Sequence, residues 1–266
     1  MKTNKSSSIT LLVLFFLFTN NLFSQNEPVN ELLKEAKSVS DTAYIYYNRN
    51  TMQKAHDMFD QVYQTDKSNI YALYYLTYTE YKLLEMSMQK GNWDEELFDK
   101  YYEPALSKAE KLAAEKNFES EGKTILAAIY MMKIANSAMS AVTLSPKING
   151  LLNEAERSNA SNPRLYIIRG QMKYNTPGIF GGSYKDAAQN FRKTVWLFEK
   201  EEQKDYLQPS WGYLESLAWL GRALEKLENF DEAKFIYQKA LNVAPNFSWV
   251  KFGLLPKLEQ KLKEKN

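Results

Sequence analysis

"LAWLGRALEKLENFDEAKFIYQKALNVAP", Leu217 to Pro245, decides the fold. Its apolar residues recur at three- and four-residue steps, the period of an amphipathic helix. Small residues sit among them where two antiparallel helices would touch: Gly221 and Ala233 lack bulk, so the backbones can approach closely. Tyr237 has the size to fill the space between hairpins, and Ala240 lets a following hairpin stack. Pro245 ends the second helix, because it has no N–H to continue the ladder.

The set Leu217, Leu220, Gly221, Leu224, Ala233, Tyr237, Ala240 and Pro245 resembles one repeat of the tetratricopeptide (TPR) family. The family pattern is a large residue, L-G, an aromatic or leucine, A-x3-aromatic-x2-A and a closing proline; leucine rather than tryptophan stands at Leu217. Looser copies of the second-helix spacing lie upstream. They are Ala55, Phe59 and Val62; Ala105, Ala109 and Leu112; Leu151, Ala155 and Ser158; and Ala187, Phe191 and Thr194. They are mostly farther apart than the roughly 34 residues of an unembellished repeat, which implies longer loops or helices. Glycine and proline are scarce beyond residue 28, and no alternating strand pattern stands between hairpin turns. The resemblance implies an all-α, TPR-like superhelical solenoid over residues 25–266, with about five antiparallel helix hairpins. The Lys/Glu-rich tail from Phe247 suits a C-terminal capping helix with a wet outer face.

"GIFGGSYKDAAQNF", Gly178 to Phe191, poses a separate question: phosphate cradle or hinge between two helices, and the hinge is the expected answer. A Walker loop follows a strand and closes with Gly-Lys-Ser/Thr, whereas Gly181 and Gly182 follow a helical run with no such pair. Gly122-Lys123-Thr124 does supply that triplet, but Asn117 stands where the first glycine belongs. Pro177, Gly178, Gly181 and Gly182 therefore read as a structural loop, a tight lengthened turn between helices. The passage Asn162 to Phe191 also resembles periplasmic TPR proteins of bacteria. Among these, the T-component that accompanies TRAP-type solute transporters carries a similar P-x-x-x-GG-x-x-x-x-A loop.

In TPR arrays the first helices line a concave face. The resemblance places Lys37, Ser40, Tyr44, Tyr47 and Asn48 there in one hairpin, and Tyr71, Tyr74, Tyr78, Tyr81 and Lys82 in the next. Six tyrosines in one groove would offer a rigid surface with polar tips, suited to a peptide or a sugar. The same stripe would equally serve as packing between neighbouring helices. The last repeat differs, with Glu215, Ala218, Arg222, Glu225 and Lys226 making a charged wall.

No catalytic constellation emerges. His56 is the only histidine, so a histidine-rich metal site and HExxH are both excluded. Asp94-Glu95-Glu96 and Glu199, Glu201 and Glu202 read as solvated charge runs, and Ser183 lacks a nucleophile elbow. There is no cysteine, which removes disulfides, thiol chemistry and a lipidated-cysteine anchor. Neither a cofactor nor a metal is expected.

Residues 1–24 read as a signal peptide: Lys2 and Lys5, an apolar run from Ile9 to Phe18 broken only by Thr10, and the small Ser24 before a cleavage site. The run is well short of the roughly 20 residues that span a bilayer; an uncleaved anchor is the other reading. Cleavage removes two lysines from a formal charge of +2 and leaves a neutral chain, with no basic face for nucleic acid. The expected protein is exported to the periplasm or secreted, with no stable membrane span. As a non-catalytic scaffold it would bind a protein or peptide through its concave groove. The alternative is a periplasmic accessory of a solute transporter, binding a small solute or a solute-binding protein.

Overall fold

The computed structural model describes residues 7–89, 92–203 and 205–265, with side chains for all of these except 7–26, 89, 92 and 265. The signal peptide expected over residues 1–24 lies outside the residues with described side chains. The helices are α1 (Ser7–Tyr46), α2 (Arg49–Thr65), α3 (Ile70–Ser87), α4 (Glu95–Ala114), α5 (Glu119–Asn136) and α6 (Ala141–Ser158). They continue as α7 (Pro163–Asn175), α8 (Tyr184–Lys200), α9 (Tyr213–Lys226), α10 (Phe230–Val243) and α11 (Leu255–Lys265). Among the described residues, the only strands are β1 (Met88–Gln89) and β2 (Asn92–Trp93), an antiparallel pair bracing the α3–α4 turn. No described helix is long and apolar enough to cross a membrane.

The helices pack as consecutive hairpins, α1 with α2, α3 with α4, α5 with α6, α7 with α8, and α9 with α10. Each first helix also touches the next first helix, from α1 to α3 and on to α9, so these helices stand side by side as one wall. The second helices form the other layer, and α11 caps the end with Leu258 buried. Several helices begin where a short polar side chain can satisfy orphan backbone donors. Asn48, Asn69, Asp94, Asn162 and Ser183 each accept a hydrogen bond from a backbone N–H two or three residues on.

The second-helix triplets sit where the repeat spacing puts them in four hairpins: Ala55, Phe59 and Val62 are buried, as are Ala105, Ala109 and Leu112, Ala187, Phe191 and Thr194, and Ala233, Tyr237 and Ala240. The α6 register is a correction. There the buried triplet is Ile148, Leu152 and Ala155, while Leu151 is half-buried and Ser158 exposed. A shift of three residues is close to one helical turn, so apolar periodicity fits both registers nearly equally well.

Two glycines let a first helix lie directly on an aromatic ring. A Cβ at Gly221 would come within 2.1 Å of the Tyr237 ring, and one at Gly170 within 2.4 Å of the Phe191 ring. Gly221→Ala and Gly170→Ala should each lower stability by about 1–3 kcal/mol through overpacking. Gly150 lies inside α6 with nothing within 4 Å of its would-be Cβ. Gly150→Ala should therefore add about 0.5–1 kcal/mol, and urea titration of the three variants checks the contrast.

His56 ties the second-helix layer together. Its ring nitrogens lie 3.0 Å from Asp57 Oδ1 and 3.4 Å from Glu80 Oε1, and its ring meets Tyr101 edge-on at 5.2 Å. Lys108 Nζ donates to the same Glu80 oxygen at 2.8 Å. Burial opposes charge on the imidazole, but the Glu80 and Asp57 carboxylates outweigh it and raise its pKa above the ordinary value. A raised folded-state pKa means the stabilisation is fully present below the unfolded value of about 6.5. It is lost as pH rises through the folded value. Denaturant midpoints should fall as pH climbs from about 6.5 through the folded value and then level off, and His56→Gln should flatten the profile.

Candidate functional site

The wall of first helices faces inward, and its two ends meet. Lys82 of α3 lies 2.7 Å from Glu215 of α9, between hairpins that are not neighbours in the stack. Near the end of α1, the Tyr44 ring is 5.6 Å from that of Phe247, and Tyr46 OH accepts from Asn246 Nδ2 at 3.1 Å. Positions three, four and seven residues apart on α3 share one helical face, which gathers Tyr71, Tyr74, Tyr78 and Tyr81 on the inner side.

That side is not an open groove, which corrects the expectation for the tyrosine stripe. The irregular segment between α8 and α9 lies across it. Trp211 stacks on Tyr78 with ring centroids 5.2 Å apart and donates its indole N–H to Tyr74 OH at 2.8 Å. Tyr75 OH donates to the Gln208 carbonyl at 2.9 Å, and Tyr71 OH to Asp205 at 3.1 Å. Tyr74, Tyr78 and Tyr81 are buried in consequence, and Tyr44 and Tyr71 are half-buried. Burial pushes the hydroxyls of Tyr74, Tyr78 and Tyr81 well above the ordinary phenol pKa, so they stay protonated. Tyr47 is different: it stands in the α1–α2 turn at φ 51° and is exposed. Trp211 was not singled out by sequence reading; a lone tryptophan in a polar loop was its one signal.

Below the tyrosines lies a closed set of charges. Lys82 Nζ donates to Glu85 and Glu215, each at 2.7 Å, and Gln171 Nε2 donates to the other Glu215 oxygen at 2.7 Å. The ammonium also sits 4.7–5.7 Å from the ring centroids of Tyr44, Tyr78, Tyr81 and Trp211. Burial opposes its charge, yet Glu215 and Glu85 hold its pKa above the ordinary lysine value. Nearby, Arg164 donates to Glu121 at 2.8 Å and Glu201 at 3.1 Å, and Glu121 accepts from Tyr74 OH at 2.9 Å. Lys82→Met alone should lower stability by about 3–5 kcal/mol, because it strands buried Glu215. Adding Glu215→Gln, which keeps an acceptor for Gln171 without the charge, should restore more than half of that loss in thermal denaturation.

The other expected elements fall apart in space or into structural roles. Glu199 accepts from Tyr213 and Lys239, and Glu201 holds Arg164. Asp94 caps α4 and pairs with Arg49 at 2.6 Å. Gly122 packs on the α4 backbone, where a Cβ would reach 2.3 Å from Ala113 N. Among the described residues, no group of three His, Cys, Asp or Glu side chains is placed to hold a metal. Gly178 to Phe180 form a short 3-10 turn, and Gly181 takes the left-handed conformation at φ 86°. Gly182 N donates to the Pro177 carbonyl and Ser183 N to that of Lys173, while Lys173 Nζ grips the Gly181 carbonyl at 3.0 Å.

One part of the inner wall stays accessible. Between α7, α9 and the segment at 247–249, the Arg222 guanidinium lies 4.1 Å from the Trp219 centroid, 4.9 Å from Tyr174 and 5.7 Å from Trp249. All four residues are half-buried. Arg49, Arg164, Arg169 and Arg192 each hold a carboxylate, but Arg222 has none within ion-pair distance among the described residues. Glu225, one turn away, is taken by Tyr237 OH at 2.6 Å. A guanidinium presented against aromatic faces with free donors can take an anionic group and an apolar neighbour together.

Residues 214–247 match the sequence model of the tetratricopeptide repeat. No curated protein matches the chain. Solved structures that share its fold include the following two. The HusA haemophore of Porphyromonas gingivalis superposes with a TM-score of 0.61 at 20% identity, over 76% of this chain and 96% of that one. A thermophilic TPR protein of Thermus thermophilus gives 0.57 at 19% identity, over 85% and 98%. Residues 214–247 thus match a tetratricopeptide repeat, and the fold around them is an all-helical, TPR-like solenoid.

Proposed function

We propose that this chain is an exported, non-catalytic interaction scaffold that binds a protein or peptide partner on the C-terminal half of its inner wall. The observation that carries the reading is Arg222, half-buried on aromatic rings with no carboxylate at ion-pair distance among the described residues. The N-terminal half of the wall already holds an irregular segment of the same chain, along Tyr71, Tyr75 and Tyr78. The partner we infer presents a carboxylate beside an apolar or aromatic side chain. The carboxylate pairs with Arg222, and the apolar group lies on Trp219 and Tyr174. The leader over residues 1–24 puts this partner in the cell envelope or outside the cell.

Affinity capture with the chain from Gln25 onward, on envelope extracts, tests this. A partner should be retained by the wild type and lost at least tenfold with Arg222→Ala or Trp219→Ala, at unchanged helical content. A partner retained equally by both variants would overturn the Arg222 assignment. A co-purifying small molecule in place of a protein would favour the transport-accessory reading. Sequencing the N-terminus of the mature protein locates the cleavage near Ser24.

A further inference from the structure

A stack of two-helix hairpins sends every first-to-second-helix turn to one edge and every connection between hairpins to the other. The two edges differ chemically here. Connections between hairpins such as Asp66–Asn69 and Asn159–Asn162 are polar and cap the helices they precede. The turns within hairpins three and four carry the most exposed large apolar side chains: Met139 and Val142 at 87% and 82%, Ile179 and Phe180 at 87% and 75%.

These side chains are held outward by construction. The 3-10 turn bearing Ile179 and Phe180 is clasped from behind by Lys173 and by the Gly182 and Ser183 amides. Gly182 admits no side chain, since a Cβ would meet the Thr176 carbonyl at 1.7 Å. At Gly178 and Gly181 nothing lies within 4 Å of a would-be Cβ, so the turn projects into open space. Such a tip is a wedge, not a flat patch for a complementary protein face.

The charge around both tips is mainly positive, with Asp186 in the first turn of α8 the acidic exception. No acidic residue occurs from Lys123 to Asn153, nor from Arg157 to Lys185. Lys133 and Lys147 rest over the Tyr102 and Tyr130 rings at 4.8 and 4.3 Å, and neither they nor Lys173 and Lys185 form an ion pair among the described residues. The flanking hairpins reverse the sign, with Asp94-Glu95-Glu96 at the second and Glu228 and Asp231 at the fifth, which confines the patch to two tips.

We propose that the tips of the third and fourth hairpins form a peripheral membrane-contact site. Met139, Val142, Ile179 and Phe180 enter the interfacial layer of an anionic lipid surface, and Lys147 and Lys185 meet its headgroups. The contact anchors without spanning, and it leaves the inner wall free for a partner.

Vesicle co-sedimentation tests it with the chain from Gln25 onward, which contains every buried residue described. The wild type should sediment with phosphatidylglycerol–phosphatidylcholine vesicles and far less with phosphatidylcholine alone. Binding should weaken at about 0.5 M salt, where surface charge is screened. Ile179→Asp with Phe180→Asp should cut the bound fraction at least tenfold, and Met139→Asp with Val142→Asp likewise. Lys147→Gln with Lys185→Gln should abolish only the preference for anionic vesicles. Far-UV circular dichroism and the melting midpoint should hold in all three, since the side chains are exposed. Arg222→Ala should bind vesicles as the wild type does, which separates this site from the partner site. Failure of the wild type to sediment, tip variants that bind normally, or a captured protein whose retention depends on the tips without lipid would each overturn the proposal.

Discussion

The close approach of a first helix to an aromatic ring on its partner is the constraint on which the rest depends. Gly221 under Tyr237 and Gly170 under Phe191 are the same contact made twice, in successive hairpins. Any side chain at either glycine would overlap the ring, so interhelical distance is set by the ring itself. With that distance short and repeated, the first helices can stand side by side, and the two edges of the stack acquire fixed identities. The inner wall, the polar connections and the apolar tips are all downstream of this spacing.

The inner wall shows what happens where repeat geometry leaves a space. Lys82 and Glu215 come from hairpins two and five, and their contact closes the wall on itself. A buried ion pair returns little net stability against the loss of water from both ions. Its value here is selective: a wall curved a little more or less would leave buried Glu215 without a cation and Lys82 with Glu85 alone. The segment bearing Trp211 answers the other need, covering apolar ring surface that curvature alone would expose.

The parts of this fold legible in the sequence were those written in local spacing. Leu217 to Pro245 carries its pattern within one hairpin; three second-helix triplets have its small–large–small order, and the fourth, Ala105, Ala109 and Leu112, keeps only the spacing. The α6 triplet slipped by three residues because Ala155 belongs to both registers, and neither Leu151 nor Ser158 is bulky or charged enough to decide. The tyrosine stripe was placed on the inward side of α3, but its covering was out of reach. Trp211 meets Tyr74 and Tyr78 across more than 130 residues of chain, and nothing in its polar surroundings announces the contact. Arg222 was visible only as one charge on a charged wall; what distinguishes it is a half-buried place on three aromatic rings with no ion pair among the described residues.

The two glycines after Phe180 illustrate how one motif divides into separate demands. Gly181 is needed for its left-handed φ, and Gly182 for its closeness to the Thr176 carbonyl. Neither demand concerns a phosphate: the backbone donors at Gly182 and Ser183 are spent on the Pro177 and Lys173 carbonyls. A cradle must leave its N–H groups free and converging on one point. A hinge must leave its hydrogen bonds weak enough to open. This loop has its donors used and its cation, Lys173, turned inward onto its own carbonyl, so it is neither. It is a rigid clasp, and rigidity has a consequence for Ile179 and Phe180. An apolar tip on a loose loop would fold back onto the nearest apolar surface and leave the water. On a clasped turn that escape is closed, so the exposure of these two side chains is a property of the backbone that carries them.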